Sequence, residues 1–162
     1  MITEPSDIHL TARVRKAIEL ANDEAVRRHH EYVGTAHLLI GLVHSGEGVA
    51  AEVLTRHGIP PQELRKRLDV VIQQGRFPDD VSPERAMTTK CRRTFAYAEQ
   101  EARTLGHTYI GTEHVLLGIL NEPASVAGQV LIEAGITEDV ARAEALQLLA
   151  RTAAPQIEAR PS

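Results

Sequence analysis

From Thr11 onward, apolar residues recur at helical spacing. Val14, Ile18, Ala21 and Ala25 share one face, and Glu19, Asn22 and Asp23 fall between them on the side expected to meet water. The next run, Leu38-Leu39-Ile40, is too apolar for a surface helix. It predicts a central helix, with Thr35 after Gly34 as its N-cap. Gly41 inside that run lowers helix propensity, so its expected use is close approach of another helix. The loop His44-Ser-Gly-Glu-Gly48 leads to a short third helix carrying Val49, Ala50, Val53 and Leu54, which Gly58 stops. A fourth helix begins near Pro60-Pro61, where a missing N–H costs nothing, and sets Leu64, Leu68, Val71 and Ile72 on one stripe.

The same order of elements then returns. Thr88–Ile136 aligns without a gap on Thr11–Ile59, 77 residues earlier, and 18 of the 49 positions are identical. The densest shared run is Tyr32-Val33-Gly34-Thr35-Ala36-His37 against Tyr109-Ile110-Gly111-Thr112-Glu113-His114. Cys91, Phe95, Ala98 and Ala102 repeat the first stripe, Val115-Leu116-Leu117 repeats the central helix, and Gly118 and Gly135 repeat Gly41 and Gly58. The last helix is expected after Thr137, using Ala145, Leu148 and Leu149. An internal repeat fixes architecture before residue chemistry is considered. The predicted fold is all-α, with about eight helices in two tandem four-helix units. Residues 1–10 read as an extension, 11–74 as the first unit, 75–87 as a linker, 88–150 as the second unit and 151–162 as a disordered tail. Ser82-Pro83-Glu84 offers an alternative start for the fifth helix. Each unit is near the lower size limit for a self-sufficient core, so the two are expected to pack as one body.

Composition narrows the function classes. With 3% aromatic residues and no Trp, the core must be aliphatic and Ala-rich, which favours closely packed helices. A formal charge of −4 argues against binding to a nucleic-acid backbone, which needs a concentrated positive surface. The single cysteine, Cys91, excludes an internal disulfide and occupies the place of Val14, so it reads as a small buried hydrophobe. No apolar run approaches a bilayer span, and the first residues lack the features of a signal peptide. The expected location is the cytoplasm, without a membrane partner.

The paired G-T-x-H-x-L-x-G runs, each preceded by a helix opening on Thr11 or Thr88 and followed by Gly58-Ile59 or Gly135-Ile136, resemble the Clp repeat. That repeat occurs twice in the N-terminal domain of Clp AAA+ unfoldases, most closely of the ClpC type, and the resemblance covers Thr11–Ile72 and Thr88–Leu149. It implies an all-α, pseudo-twofold domain that recognises substrates and adaptors for an unfoldase. Nothing in the chain resembles G-x-x-x-x-G-K followed by Ser or Thr. The expectation is therefore a free-standing Clp N-domain without ATPase modules, and without enzymatic activity or a cofactor.

The resemblance further implies that each repeat can bind phosphorylated arginine. A carboxylate would meet the guanidinium, and hydroxyl, basic and backbone N–H donors would meet the phosphate. Carried over position by position, the second-repeat site comprises Thr88, Lys90 and Glu113. The first comprises Thr11, Arg13 and Ala36, and is degenerate because alanine replaces the carboxylate. Alternatively, Glu113 serves only to favour a helix N-terminus electrostatically. Met87, where the family usually has an aromatic residue, and Arg92 are candidates for an apolar peptide groove. Eight histidines invite a metal hypothesis, but His30/His107 and His37/His114 are repeat-paired, as structural residues would be, and no zinc shell is completed. The expected partners are protein or peptide substrates, or the Clp unfoldase and its adaptors, with the chain as accessory, competitor or decoy. The rival reading is a structural docking partner of the Clp machine that binds no substrate.

Overall fold

The computed structural model describes residues 8–78 and 82–159, with side chains through residue 151. Among them are eight helices: α1 (Ala12–Arg27), α2 (Thr35–Val43), α3 (Val49–Arg56), α4 (Pro61–Val71), α5 (Thr89–Thr104), α6 (Thr112–Leu120), α7 (Val126–Glu133) and α8 (Glu138–Ala159). Four two-residue strands, which the periodicity did not announce, precede helices: β1 (His9–Leu10), β2 (Tyr32–Val33), β3 (Ala86–Met87) and β4 (Tyr109–Ile110). The architecture is otherwise all-helical, as expected.

Every residue of α2 and α6 is buried, so these two helices are the centre of the molecule. α1 packs on α2 and α5 on α6, while α3 meets α8, α2 meets α7 and α4 meets α7 across the repeats. One hydrophobic cluster includes Leu38, Leu39, Leu54 and Leu64 from the first copy and Leu116, Leu117, Leu131 and Ile136 from the second. The two units thus share one core. Gly58 and Gly135 end α3 and α7 at φ +79° and +85°, a left-handed conformation that disfavours other residues. The amide that follows each glycine returns to the helix, Ile59 N–H to the Leu54 carbonyl and Ile136 N–H to that of Leu131.

The helix starts differ from expectation in a way that matters for the pockets. The N-caps of α2 and α6 are Gly34 and Gly111, both extended, and Thr35 and Thr112 are the first helical residues. Glycine has no side chain to cap with. The reciprocal bond comes from the third helical residue instead: Nδ1 of His37 accepts the Gly34 N–H at 2.9 Å, and Nδ1 of His114 accepts that of Gly111 at 2.8 Å. Freed from capping its own helix, the Thr112 hydroxyl accepts the Ala50 N–H of α3 at 3.2 Å, where the N-cap Gly48 again has no side chain. Thr11 and Thr88 do cap their helices, accepting from Val14 N–H and Cys91 N–H at 3.2 and 3.1 Å. The fifth helix therefore starts at Thr89, not at Ser82-Pro83-Glu84.

Three further expectations change. Val71, assigned to the buried stripe of α4, is 55% exposed, because the helix ends there and the chain turns extended at Ile72. α8 continues to Ala159 past the point where a tail was expected, in keeping with the helix propensity of Ala150, Ala153 and Ala154; residues 160–162 lie outside the described residues. The segment read as a linker is pinned to the end of α1. Gly75 N–H and Phe77 N–H donate to the Arg28 and His29 carbonyls at 2.8 and 2.9 Å. Asn22, expected to face water, accepts the Arg85 N–H at 2.8 Å and donates to the Pro83 carbonyl at 2.6 Å. Asp79 and Asp80 are outside the described residues.

One ionic arrangement is repeated. Glu24 of α1 meets Arg65 of α4 at 3.1 Å, and the corresponding Glu101 of α5 meets Arg142 of α8 at 2.7 Å. Burial alone would push the Glu24 carboxyl up. Hydrogen bonds from Arg27 and Arg28, with the charge of Arg65, outweigh it and hold the pKa at about 2.

Candidate functional site

The short strands decide which residues share a site. β1 pairs in parallel with β4, Leu10 opposite Ile110, and β2 pairs in parallel with β3, Val33 opposite Met87. Both pairings are between repeats. The chain entering α1 therefore lies beside the start of α6, with Thr11 N–H donating to the Ile110 carbonyl at 3.1 Å. The chain entering α5 lies beside the start of α2, with Thr88 N–H donating to the Val33 carbonyl at 2.9 Å.

This overturns the grouping by repeat. One pocket, about 350 Å³, brings together Thr11, Arg13, Tyr109, Thr112 and Glu113. The other, about 500 Å³, brings together Thr35, Ala36, Thr88 and Lys90. Glu113 thus stands with Thr11 and Arg13, not with Thr88 and Lys90, and Ala36 stands with the lysine. Residues matched within one repeat are split because each pocket wall is built from the other repeat's entering strand. The threonine, the arginine and the carboxylate of the expected residue set meet in the first pocket. The second keeps a threonine, carries lysine for arginine, and lacks the carboxylate.

In the complete pocket Glu113 is 4% exposed and folds back over its own helix start, its carboxylate against Gly111. Burial pushes its carboxyl above the ordinary value, against its backbone hydrogen bond, the charge of His107 and a hydrogen bond with Tyr109, which pull it down. His114 Nδ1 lies 3.9 Å from this carboxylate. That nitrogen, however, already accepts the Gly111 N–H, so the imidazole is neutral and the contact is not an ion pair. Arg13 reaches the exposed Glu47 at 3.1 Å across the pocket mouth. Because surface pairs of this kind contribute little, its guanidinium is available to an anionic ligand.

The histidines form two matching chains. With Nδ1 of His37 occupied by Gly34, its Nε2–H donates to Nδ1 of His30 at 2.8 Å, and Nε2–H of His30 donates to the Gln73 carbonyl at 2.7 Å. In the second copy His114 donates to His107 at 2.9 Å, and His107 stacks on Tyr109. These contacts give the repeat-paired histidines a structural role. Among the described residues no group of three or more His, Cys, Asp or Glu is placed to hold a metal ion. Cys91 is fully buried and its thiol is pushed up to about 12 by burial, so it packs as a hydrophobe.

Met87 and Arg92, the groove candidates, do line one groove, with Leu10, Ile18, Phe95 and Ile110. Leu10/Met87 and Ile18/Phe95 are repeat equivalents, so the groove lies where the two copies meet about their pseudo-twofold. Arg92 donates to the Met87 carbonyl at 2.6 Å and Arg15, its equivalent, to that of Leu10 at 2.6 Å, which fixes both strands at the groove wall. Sequence reasoning missed Tyr109 and Glu47. The signal for Tyr109 was its identity with Tyr32; for Glu47 it was the contrast with Ala124.

Among the described residues, no helix is long and apolar enough to cross a membrane. The family model of the Clp repeat (R) N-terminal domain matches residues 9–134 and 86–159. The chain is 39% identical over 139 residues to the negative regulator of genetic competence ClpC/MecB of Bacillus subtilis (strain 168), covering 86% of this chain and 17% of that protein. It therefore spans about a sixth of the length of the curated relatives it matches. The N-terminal domain of the chaperone ClpD from Arabidopsis thaliana superposes with a TM-score of 0.67 at 22% identity, over 92% of this chain and 99% of that one. A ClpV N-domain solved in complex with a VipB peptide superposes with a TM-score of 0.60 at 17% identity, over 86% and 90% of the two chains. Duplicated helical units, cross-paired entry strands and a family match over nearly the whole chain agree: this protein belongs to the Clp repeat N-terminal domain family.

Proposed function

We propose that this chain is a non-enzymatic module that binds protein segments, and that its Thr11–Arg13–Glu113 pocket takes phosphorylated arginine side chains. The observation that carries the reading is the meeting, in one pocket, of a buried carboxylate with an arginine, a threonine hydroxyl and the N-terminus of α6. Glu113 would accept from the ligand guanidinium, while Arg13, the Thr11 hydroxyl and first-turn amides would hold the phosphoryl oxygens. The Leu10–Met87 groove would take apolar stretches of the same client. The peptide held by the ClpV N-domain, a relative in fold, supports a peptide-binding role.

Titration of free phosphoarginine, followed by amide NMR shifts, tests the pocket. Perturbations are expected at Thr11–Arg13 and Gly111–Glu113. Glu113→Ala should weaken binding about ten- to a hundred-fold, the worth of a charge-assisted hydrogen bond. Arg13→Ala should weaken it comparably, and Lys90→Ala should change nothing. Perturbation around Ala36 with none around Glu113, or a Lys90→Ala variant as impaired as Arg13→Ala, would defeat the reading. Recovery of Clp subunits without client proteins in a pull-down would favour docking onto the unfoldase instead.

A further inference from the structure

The Ala36 pocket differs from its counterpart at more than one position. Where the complete pocket has Glu113, it has Ala36; where the complete pocket's rim has Glu47, it has Ala124. Both carboxylates are gone and no other acidic side chain lines it. The one cation, Lys90, is exposed and has no ion-pair partner among the described residues, whereas Arg13 is paired with Glu47. The two losses change the walls as well as the charge. The space is larger, about 500 Å³ against about 350 Å³, and Ala36, Ala124, Ile72 and Val126 give it an apolar lining. Val126 is 43% exposed, so this surface is open to a ligand.

We infer that the Ala36–Lys90 pocket binds the free C-terminus of a polypeptide whose last residue is aliphatic. This inference rests on the reading of the chain as a peptide-binding module, but on a different pocket from the phosphoarginine site. A guanidinium has no carboxylate to meet here, so the ligand must be an anion without a cation. Lys90 supplies a compact positive charge for a carboxylate and lacks the planar fork with which Arg13 can grip a phosphoryl group. The hydroxyls of Thr88 and Thr89 stand beside it as donors. The aliphatic side chain lies on Ala36, Ile72 and Val126, where removing apolar surface from water adds affinity. Helix N-termini face both pockets alike, so they favour an anion in each and do not discriminate; the side chains do.

Fluorescence anisotropy with a labelled hexapeptide ending in Leu tests this on the wild-type chain. The free acid should bind at least about tenfold tighter than the same peptide as C-terminal amide, and tighter than one ending in Asp. Lys90→Gln should lose about tenfold for the acid and nothing for the amide. Ala36→Glu should abolish binding, and the fold tolerates glutamate there, because Glu113 occupies the equivalent place in the other copy. Glu113→Ala should bind the peptide as wild type does, so failure of the phosphoarginine reading leaves this result unchanged. Equal affinity of acid and amide, insensitivity to Lys90→Gln, or inorganic phosphate displacing the peptide at lower concentration than acetate would overturn the inference.

Discussion

Acidification from pH 6.5 to 4 is expected to remove about 4–6 kcal/mol of folding stability through two buried histidines. His37 and His114 are 6% and 0% exposed, and burial, with the neighbouring His30 or His107, lowers each from 6.5 to about 4. In that interval the unfolded chain takes up two protons that the folded chain refuses. Stability is therefore complete above pH 6.5 and falls as the pH drops toward 4, by about 2–3 kcal/mol for each histidine. The geometry explains the refusal. A proton on Nδ1 would point at the N–H of Gly34 or Gly111, breaking the bond that starts the central helix. Glu113, with its raised carboxyl, works in the opposite direction, and Glu24, held at about 2, begins to lose its contribution as the pH falls through its ordinary value of 4.5 and has lost it near 2. Urea unfolding followed by circular dichroism at pH 7, 5.5 and 4.5 measures the slope. His37→Gln/His114→Gln keeps an acceptor at the third helical position without a titrating ring, so it should flatten the profile. A urea midpoint constant between pH 6.5 and 4.5 in the wild type, or an unchanged slope in the double variant, would refute the assignment.

The second large effect is at the glycines inside the central helices. A Cβ built on Gly41 falls 2.3 Å from the Ala17 carbonyl oxygen, and one on Gly118 falls 2.3 Å from that of Thr94. Both obstacles are helix backbone and cannot rotate away. Helix propensity alone predicts that Gly→Ala stabilises by about 0.5–1 kcal/mol. Overpacking against backbone should outweigh it, so Gly41→Ala and Gly118→Ala are each expected to destabilise by about 2–3 kcal/mol as α1 is forced from α2, or α5 from α6. A rise in the urea midpoint of either variant would show that local propensity prevails over the contact. The close approach was legible in the sequence, because a glycine recurs at the same place in two otherwise apolar runs.

Much of the remaining fold was legible for the same reason. Stripes such as Val14, Ala21 and Ala25, or Cys91, Ala98 and Ala102, have a period that only a helix can bury on one side, and all six are fully buried. The helix caps were harder to read. Thr35 and Thr112 looked like N-caps by residue type, but the cap position is set by backbone conformation and by the reach of His37 and His114, which no propensity encodes. Val71 was misassigned because periodicity continues on paper where the backbone has already left the helix.

The sequence alone determined that the body is duplicated and helical, that its centre is the Leu38–Ile40 and Val115–Leu117 runs, and that the copies diverge at Ala36 and Glu113. Those properties follow from local period and from comparing equivalent positions. It could not determine which residues face one another. Four dipeptide strands pair two by two across the repeats, so Glu113 joins Arg13 and Ala36 joins Lys90, and both departures from the expected residue set fall in one pocket. Pairing of that kind depends on the docking of two units that share one core, a long-range condition that no window along the chain contains.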